Sequence, residues 1–236
     1  MIKNIFICWF QGFDNAPEIV KNCLKSWYHY NPDWNIIEID DNSLKKYINL
    51  SNHIDISKKN ISKAHLSDII RVLLLNKHGG VWADATTFCN KPLNNWLPQN
   101  IKEGFFAFNK PGPDRMISNW FLYANKQNHI INKWKNATLN YYKKHDKAHT
   151  YYIHHYLFER LYNNNEQFKK IWDNVPKLSA NKSHYLYGKG FFSKNNDDVK
   201  NNINSKIIPL YKITYKCDFS EKYNSKTNLY YLFSTI

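Results

Sequence analysis

SDIIRVLLLNKHGGVWADATTF, residues Ser67 to Phe88, reads as a helix, a double-glycine stop and a short strand run together, and it brings one carboxylate, Asp84, to a strand end. In open α/β sheets ligand sites gather at such ends. Leu66, Ile69, Ile70, Leu73 and Leu74 recur at three- and four-residue spacing, an apolar stripe that faces a core, with Ala64, Ser67, Asp68 and Arg71 on the opposite side. On an arbitrary helix Asp68 and Arg71 would be an exposed pair worth ~0.2 to 0.5 kcal/mol. The residues beyond this helix argue otherwise. His78 falls in the last turn, Gly79 can take the left-handed conformation that ends a helix, and Val81-Trp82-Ala83 is a short buried strand from whose tip Asp84 emerges.

Working outward, Ile2 to Cys8 is an apolar run fit for a buried parallel strand, ending in the turn Trp9-Phe10-Gln11-Gly12. Asn15 can cap the next helix, in which Val20, Cys23, Leu24, Trp27 and Tyr28 repeat at helical spacing until Asn31-Pro32 stops it. Asn35 to Ile39 is a second strand, and Asp40-Asp41-Asn42 turns into a short helix from Ser43 to Ile48. With the helix from Ala64 to Lys77, the order β-α-β-α-α-β predicts a parallel sheet with right-handed crossovers, whose strand ends carry Trp9 and Gln11, Asp40 and Asp41, and Asp84. Gly104 to Asp114 reads as a fourth strand and loop. From Arg115 the periodicity turns helical, over Met116 to Ala124, Ile130 to Tyr142, Tyr151 to Tyr162 and Glu166 to Val175. The tail from Ser183 holds short β-like pieces at His184 to Tyr187, Lys206 to Tyr211 and Asn228 to Phe233.

A chain of 236 residues is the size of one domain and can bury roughly 70% of its unfolded surface. Hydrophobic residues at 43% and aromatics at 17% argue against disorder despite a mean hydropathy of -0.65. Cys8, Cys23, Cys89 and Cys217 are scattered without a C-x-x-C, so reduced, buried thiols are expected rather than a disulfide framework or structural zinc. MIKNIFICWF is too short an apolar run for a signal peptide and nothing approaches a membrane span, which points to a cytoplasmic location. The Asn-x-Ser/Thr triplets at Asn49, Asn60, Asn136 and Asn181 are what an Asn-rich chain produces by chance. A net charge of +14 reflects a Lys- and Asn-rich composition, or attraction to an anionic membrane surface and a peripheral place on its inner face. No helix-turn-helix, zinc-finger or RNP motif supports a nucleic-acid partner, and P-loop, dinucleotide-fingerprint and G-x-S-x-G motifs are absent.

Ser-Asp-x-x-Arg followed by Gly-Gly-x-x-x-Asp resembles the nucleotide-sugar site of glycosyltransferases that bear the sugar-binding region containing a DXD motif, a group that includes the large clostridial cytotoxins. The nearer resemblance is to the bacterial capsular polysaccharide synthesis proteins of that superfamily. It rests on WFQG (Trp9 to Gly12), NAPEIVKNCLKSW (Asn15 to Trp27), GGVWADATTFCNKPL (Gly79 to Leu93) and PDRMISNWF (Pro113 to Phe121). HYLF from His155, IWDNVPKLSA from Ile171 and PLYKITYK from Pro209 match more weakly. The resemblance implies a single GT-A-like α/β domain with a mostly parallel sheet, a helical insertion after the catalytic strand and a mixed C-terminal segment. Residues 1–110 would bind the nucleotide sugar and residues 111–236 would form the helical acceptor side.

By the same resemblance Trp9 lies against the uracil ring, Asp68 and Arg71 contact nucleotide and donor sugar, and Asp84 faces the ribose and any metal, these three charged residues being the catalytic set. Gln11, Ser67, Gly80, Ala85 and Thr86 complete the nucleotide-sugar contacts. An aromatic for a base, carboxylates for hydroxyls and a guanidinium for oxygens are the residue types this chemistry needs; without the resemblance Trp9 is plain core. One departure matters: the toxin-like Asp-x-Asp is here Asp84-Ala85-Thr86. One carboxylate and a hydroxyl hold Mn2+ or Mg2+ more weakly than two carboxylates, and without a metal a lysine must offset the phosphates. Lys212, matching the family's Pro-x-x-Lys, is the candidate, against a solvated surface lysine. Ser118, Asn119 and Trp120, read as opening a helix, and His155 are the acceptor-side candidates. His145 and His149 share metal-ligand spacing but lack the Glu of H-E-x-x-H. The implied activity is retaining transfer of a hexose from a UDP-sugar to a lipid-linked oligosaccharide in capsule or other surface polysaccharide synthesis. Its alternatives are a lipooligosaccharide or protein glycosyltransferase of the same fold, and an inactive nucleotide-sugar-binding subunit of a capsule assembly complex.

Overall fold

The computed structural model describes residues 1–216 and 223–236. In chain order it contains β1 (Asn4–Cys8), α1 (Glu18–Tyr30), β2 (Asn35–Ile39), α2 (Lys63–His78), β3 (Gly80–Asp84), β4 (Thr87–Cys89), α3 (Leu97–Asn100), β5 (Phe105–Gly112), β6 (Arg115–Ala124), α4 (His129–Lys144), α5 (Ile153–Asn164), α6 (Glu166–Asn174), α7 (Ala180–Ser183), α8 (Tyr185–Lys189), α9 (Asp197–Asn204), β7 (Leu210–Lys212) and α10 (Asn228–Phe233). The main sheet has the order β2-β1-β3-β6-β5. β1 runs parallel to β2 and β3, while β6 is antiparallel to both β3 and β5, so β6 alone opposes the others. The sheet is mainly parallel, with a hairpin at one edge in place of further crossovers. Strand β6, from beyond residue 110, sits between β3 and β5 of this same sheet.

Helix α2 is the element on which the site is built. The Ser62 side chain caps its start by accepting from the His65 N–H, and Gly79, at φ 69°, ends it with its N–H on the Leu75 carbonyl. The residues from Ile69 to Leu75 are all buried, because the sheet covers one side of α2 and α4 the other. The face carrying Asp68 and Arg71 is therefore interior: the two residues are 7% and 3% exposed, not the solvated pair their spacing alone describes. Helix α1 covers the other side of the sheet, where Trp27 stacks on Phe121 and donates its indole N–H to the Thr87 carbonyl.

Several local readings are overturned. Met116 to Ala124 is a strand: its Ile, Trp, Phe and Tyr are strand formers, and the Pro-Gly-Pro-Asp turn at residues 111–114 lets it fold back on β5. The helical segment that follows the Asp84 strand in the chain accordingly begins at α4, after this hairpin. Asn15 lies in a 3-10 turn, Phe13–Asn15, and Pro17, with its φ already preset, stands before the first turn of α1. Ser43 to Ile48 contains one 3-10 turn, Leu44–Lys46. In the tail His184 to Tyr187 is helical, Asn228 to Phe233 forms α10 capped by Thr227, and of Lys206 to Tyr211 only the end pairs, in β7. Cys8, Cys23 and Cys89 are buried and free; Cys217 lies outside the described residues. Among the described residues no helix is long and apolar enough to cross a membrane.

Candidate functional site

Parallel pairing of β1 and β3 sets Cys8 beside Asp84, so the turn that starts at Trp9 and the end of β3 open at one edge of the sheet. Residues two apart in a strand share a face, and Trp82 and Asp84 both point toward α2. The Asp84 Oδ1 accepts from the Trp82 indole N–H at 3.0 Å and from Arg71 Nη2 at 3.1 Å. Its Oδ2 lies 3.4 Å from Lys212 Nζ, which also donates to Thr86 Oγ1 at 2.5 Å. Lys212 arrives from the far end of the chain because β7 pairs with β4, with Lys212 opposite Thr87.

Arg71 is the hub. Its guanidinium lies 5.2 Å from the Trp82 ring centroid, its Nη2 also donates to Ser67 Oγ at 3.0 Å, and its Nη1 sits 2.6 Å from Asp68 Oδ1. Asp68 in turn accepts from Asn119 Nδ2 at 2.9 Å, and His154 Nδ1 stands 3.5 Å away. His154 is held flat against Trp134, ring centroids 4.0 Å apart, and Trp134 donates to the His154 carbonyl. One cation thus bridges a buried carboxylate and a carboxylate facing open space.

That space is a groove of about 370 Å³ lined by Trp9, Gln11, Ser67, Asp84, Thr86 and Lys212, with Lys63 and Lys216 adding positive charge. Tyr151, Tyr187 and Tyr215 line it as exposed aromatics, and Tyr215 meets Trp9 edge to face at 5.2 Å. A side chamber of about 80 Å³, lined by His65, Asp68, Arg71, Asn119, Tyr151 and His155, opens beside it. Ser67, Asp84 and Tyr151 belong to both, so Asp84 stands at the junction. A cationic, aromatic groove joined to a small polar chamber suits an anion with a planar ring and a compact polyhydroxylated group.

The two carboxylates differ in charge state. Burial pushes Asp84 up, but Lys212 and Arg71 together with the Trp82 N–H outweigh it and hold the carboxyl below its usual range. Asp68 is pushed up to about 7 by burial, against the pull of Arg71 and with the Asp84 charge adding to the rise. Burial and the Arg71 charge lower both histidines, His154 well below its usual value and His155 to about 3, so both are neutral.

The structure brings together Trp9, Gln11, Ser67, Asp68, Arg71, Asp84, Ala85, Thr86, Lys212, Asn119 and His155. It does not bring Gly80, which is at the other end of β3, roughly 13 Å along the strand; its place is structural, a Cβ there meeting the Asn4 carbonyl oxygen at 2.5 Å. Nor do Ser118 and Trp120 line the groove or the chamber. Because β6 is a strand with its register slipping between Ala107–Leu122 and Asn109–Ile117, Asn119 turns toward α2 while Trp120 stacks on Phe108 in the aromatic cluster of the opposite face. Asp40 is spent on its own turn, accepting from the Asn42 and Ser43 N–H groups. Trp82, His154, Tyr151 and Tyr215 are site residues that sequence reasoning missed. Period-two spacing from Asp84 could have found Trp82, whereas the others depend on long-range packing.

The donor set does not fit Mn2+ or Mg2+ at Asp84. Hard divalent ions want several oxygen ligands, yet both Asp84 oxygens already face cations, and the Thr86 hydroxyl takes the Lys212 ammonium. Among the described residues no cluster of three or more His, Cys, Asp or Glu is placed to hold a metal, and His145 and His149 lie beyond the end of α4.

Comparison with known proteins adds three findings. The sequence model of the capsular polysaccharide synthesis proteins matches residues 1–232. Two curated proteins are similar: the O-glycosyltransferase braB of Annulohypoxylon truncatum, 27% identical over 78% of this chain and 41% of its own length, and the initiation-specific alpha-1,6-mannosyltransferase of Saccharomyces cerevisiae, 31% identical over 47% of this chain and 25% of its own. The chain thus spans less than half the length of the curated relatives it matches. Among solved structures the PaToxG glycosyltransferase aligns over 72% of this chain and 73% of its own with a TM-score of 0.51 and 19% identity. That likeness is one of fold, the GT-A-like arrangement expected from the sequence.

Proposed function

We propose that this chain, which belongs to the capsular polysaccharide synthesis protein family, is a glycosyltransferase that moves a hexose from a UDP-sugar to a glycan acceptor of surface polysaccharide synthesis, carried on a lipid. The observation that carries this reading is that Asp84, paired with the buried Arg71 behind it, shares one groove with Lys212 and Trp9. Trp9 offers a ring face to the base. Lys212, with Lys63 and Lys216, offsets the diphosphate in place of a metal. The ionised Asp84 accepts from ribose or sugar hydroxyls, and the chamber beside it offers the polar side chains of Asp68, Asn119 and His155. The names of the two curated relatives, both glycosyltransferases and one an alpha-1,6-mannosyltransferase, support hexose transfer.

For retention of configuration, the bond from the anomeric carbon to the β-phosphate oxygen breaks while the acceptor oxygen bonds to the same face of that carbon. The departing phosphate oxygen takes the acceptor's proton. Positive charge fixed beside the leaving group is the contribution the protein makes, since it strengthens as the phosphate becomes more negative. Asp84, held ionised below the usual range, serves as an electrostatic and hydroxyl-binding group rather than a proton donor.

A thermal-shift and hydrolysis screen of UDP-, GDP- and CMP-sugars, with and without Mn2+, tests this. UDP compounds alone should register, Mn2+ should add little, and Asp84→Ala should abolish slow UDP-sugar hydrolysis. A clear preference for GDP would refute the assigned base pocket, and hydrolysis untouched by Asp84→Ala would refute the site.

A further inference from the structure

A second groove lies away from Asp84. It has a volume of about 420 Å³ and runs between α4 and α5, and no part of the site described above lies in it. Its floor is apolar, formed by Ala137 and Tyr141 of α4 and by Leu157 and Leu161 of α5. Its rim is cationic. Lys133 stands at one end, Lys144 eleven residues on at the other, about 16 Å away along the helix axis, and Arg160 rises from α5 between them. All three are exposed, no acidic side chain lines the groove, and among the described residues none of the three is in an ion pair.

We infer that this groove docks the protein on a bilayer of anionic phospholipid, the lipid phosphates meeting Lys133, Lys144 and Arg160 and an acyl chain reaching the floor between them. Charge complementarity decides the occupant. Long cationic side chains around an apolar cleft can keep their heads at a phosphate layer while their stems and the floor meet hydrocarbon. Tyr141, amphipathic and half-buried at the floor, is a residue type favoured at that depth. The chain as a whole carries +14, and here part of that charge surrounds an apolar opening. Helix α5 ties the groove to the site: its first turn sends His155 into the chamber beside Asp84, and its later turns line the groove. Docking there would hold the chamber one short helix from the lipid surface, where a lipid-borne acceptor is. This last point alone rests on the proposed function.

The test is co-sedimentation of the full chain with phosphatidylglycerol/phosphatidylcholine vesicles and with pure phosphatidylcholine vesicles. Binding is expected to the first only. The triple variant K133Q/K144Q/R160Q should weaken it about 100-fold, the value of three cations near an anionic surface. Leu161→Asn should weaken it about tenfold with every charge in place. A control that removes as much charge elsewhere, K21Q/K25Q/K102Q, should bind almost as the parent does. Equal loss in both triple variants would overturn the proposal in favour of overall charge, as would absence of binding to the anionic vesicles. Self-association in solution that disappears with the groove variant would assign the surface to a second copy and overturn it too. UDP-sugar hydrolysis should be unchanged in K133Q/K144Q/R160Q. If hydrolysis is missing from the parent while the vesicle pattern holds, the functional reading fails and the groove stands.

Discussion

Arg71 is shared by two carboxylates of unlike character, and that sharing fixes what its loss should do. Removing one partner of a buried ion pair costs about 3 to 5 kcal/mol when the remaining charge has nowhere to go. Asp68 has an exit, because its carboxyl already sits near 7 and can take a proton. Without Arg71 its folded value rises further above that of the unfolded chain, so the variant is spared at low pH and penalised as pH rises. Arg71→Met should therefore lose more stability at pH 8 than at pH 5 in urea denaturation, and equal losses would mean that Asp68 does not take up the charge change. The acidic and basic members Asp68, Arg71 and Asp84 could be read from the chain because the motif Ser67-Asp68-x-x-Arg71 and the strand end at Asp84 are local. His154 could not: only the packing of α5 and Trp134 over α2 sets it beside Asp68, and nothing in the sequence near either residue encodes that approach.

Among the elements, β3 shows why a glycine in a binding motif need not bind. Gly80 has φ 105°, and an added Cβ would meet the Asn4 carbonyl oxygen of β1 at 2.5 Å. Left-handed strain of about 1 to 3 kcal/mol and overpacking of similar size make Gly80→Ala costly. The two together amount to about 2 to 6 kcal/mol, so the melting temperature should fall by about 4 to 24 °C, at ~2 to 4 °C per kcal/mol for a chain of this length. A variant melting within a degree or two of the parent would show that β1 and β3 are not held this closely. The neighbouring strand β6 marks the limit of sequence periodicity. RMISNWFLYA places apolar residues at both helical and alternating positions, and a run this short cannot choose between them on its own. Its partners chose: β3 on one side, and β5 across the Pro-Gly-Pro-Asp turn on the other. The accompanying slip in register is a tertiary matter, yet it is what turns Asn119 toward Asp68 and Trp120 away.

Over the whole molecule, the buried titratable groups pull stability in opposite directions between about pH 4 and 6.5. His155 is held at about 3 in the folded chain, below its ordinary ~6.5 when unfolded. In that window the unfolded chain binds the extra proton, and stability falls as pH falls. His154, lowered by the same burial, acts in the same sense. Asp68 is the reverse case: its folded value of about 7 lies above the unfolded ~3.9, so the folded chain binds the proton and stability is gained on acidification. Each group contributes the slope of one proton, about 1.4 kcal/mol per pH unit. Asp68→Asn removes the opposing slope, and the acid loss should steepen by about that amount. His155→Gln removes one of the slopes that cause the loss, which should flatten by about as much. Unfolding free energies measured by denaturant titration at half-unit steps from pH 4.5 to 6.5 would resolve both changes. An Asp68→Asn slope equal to that of the parent would mean that Asp68 is ionised beside Arg71 throughout, and the shared cation would then bridge two full negative charges instead of one.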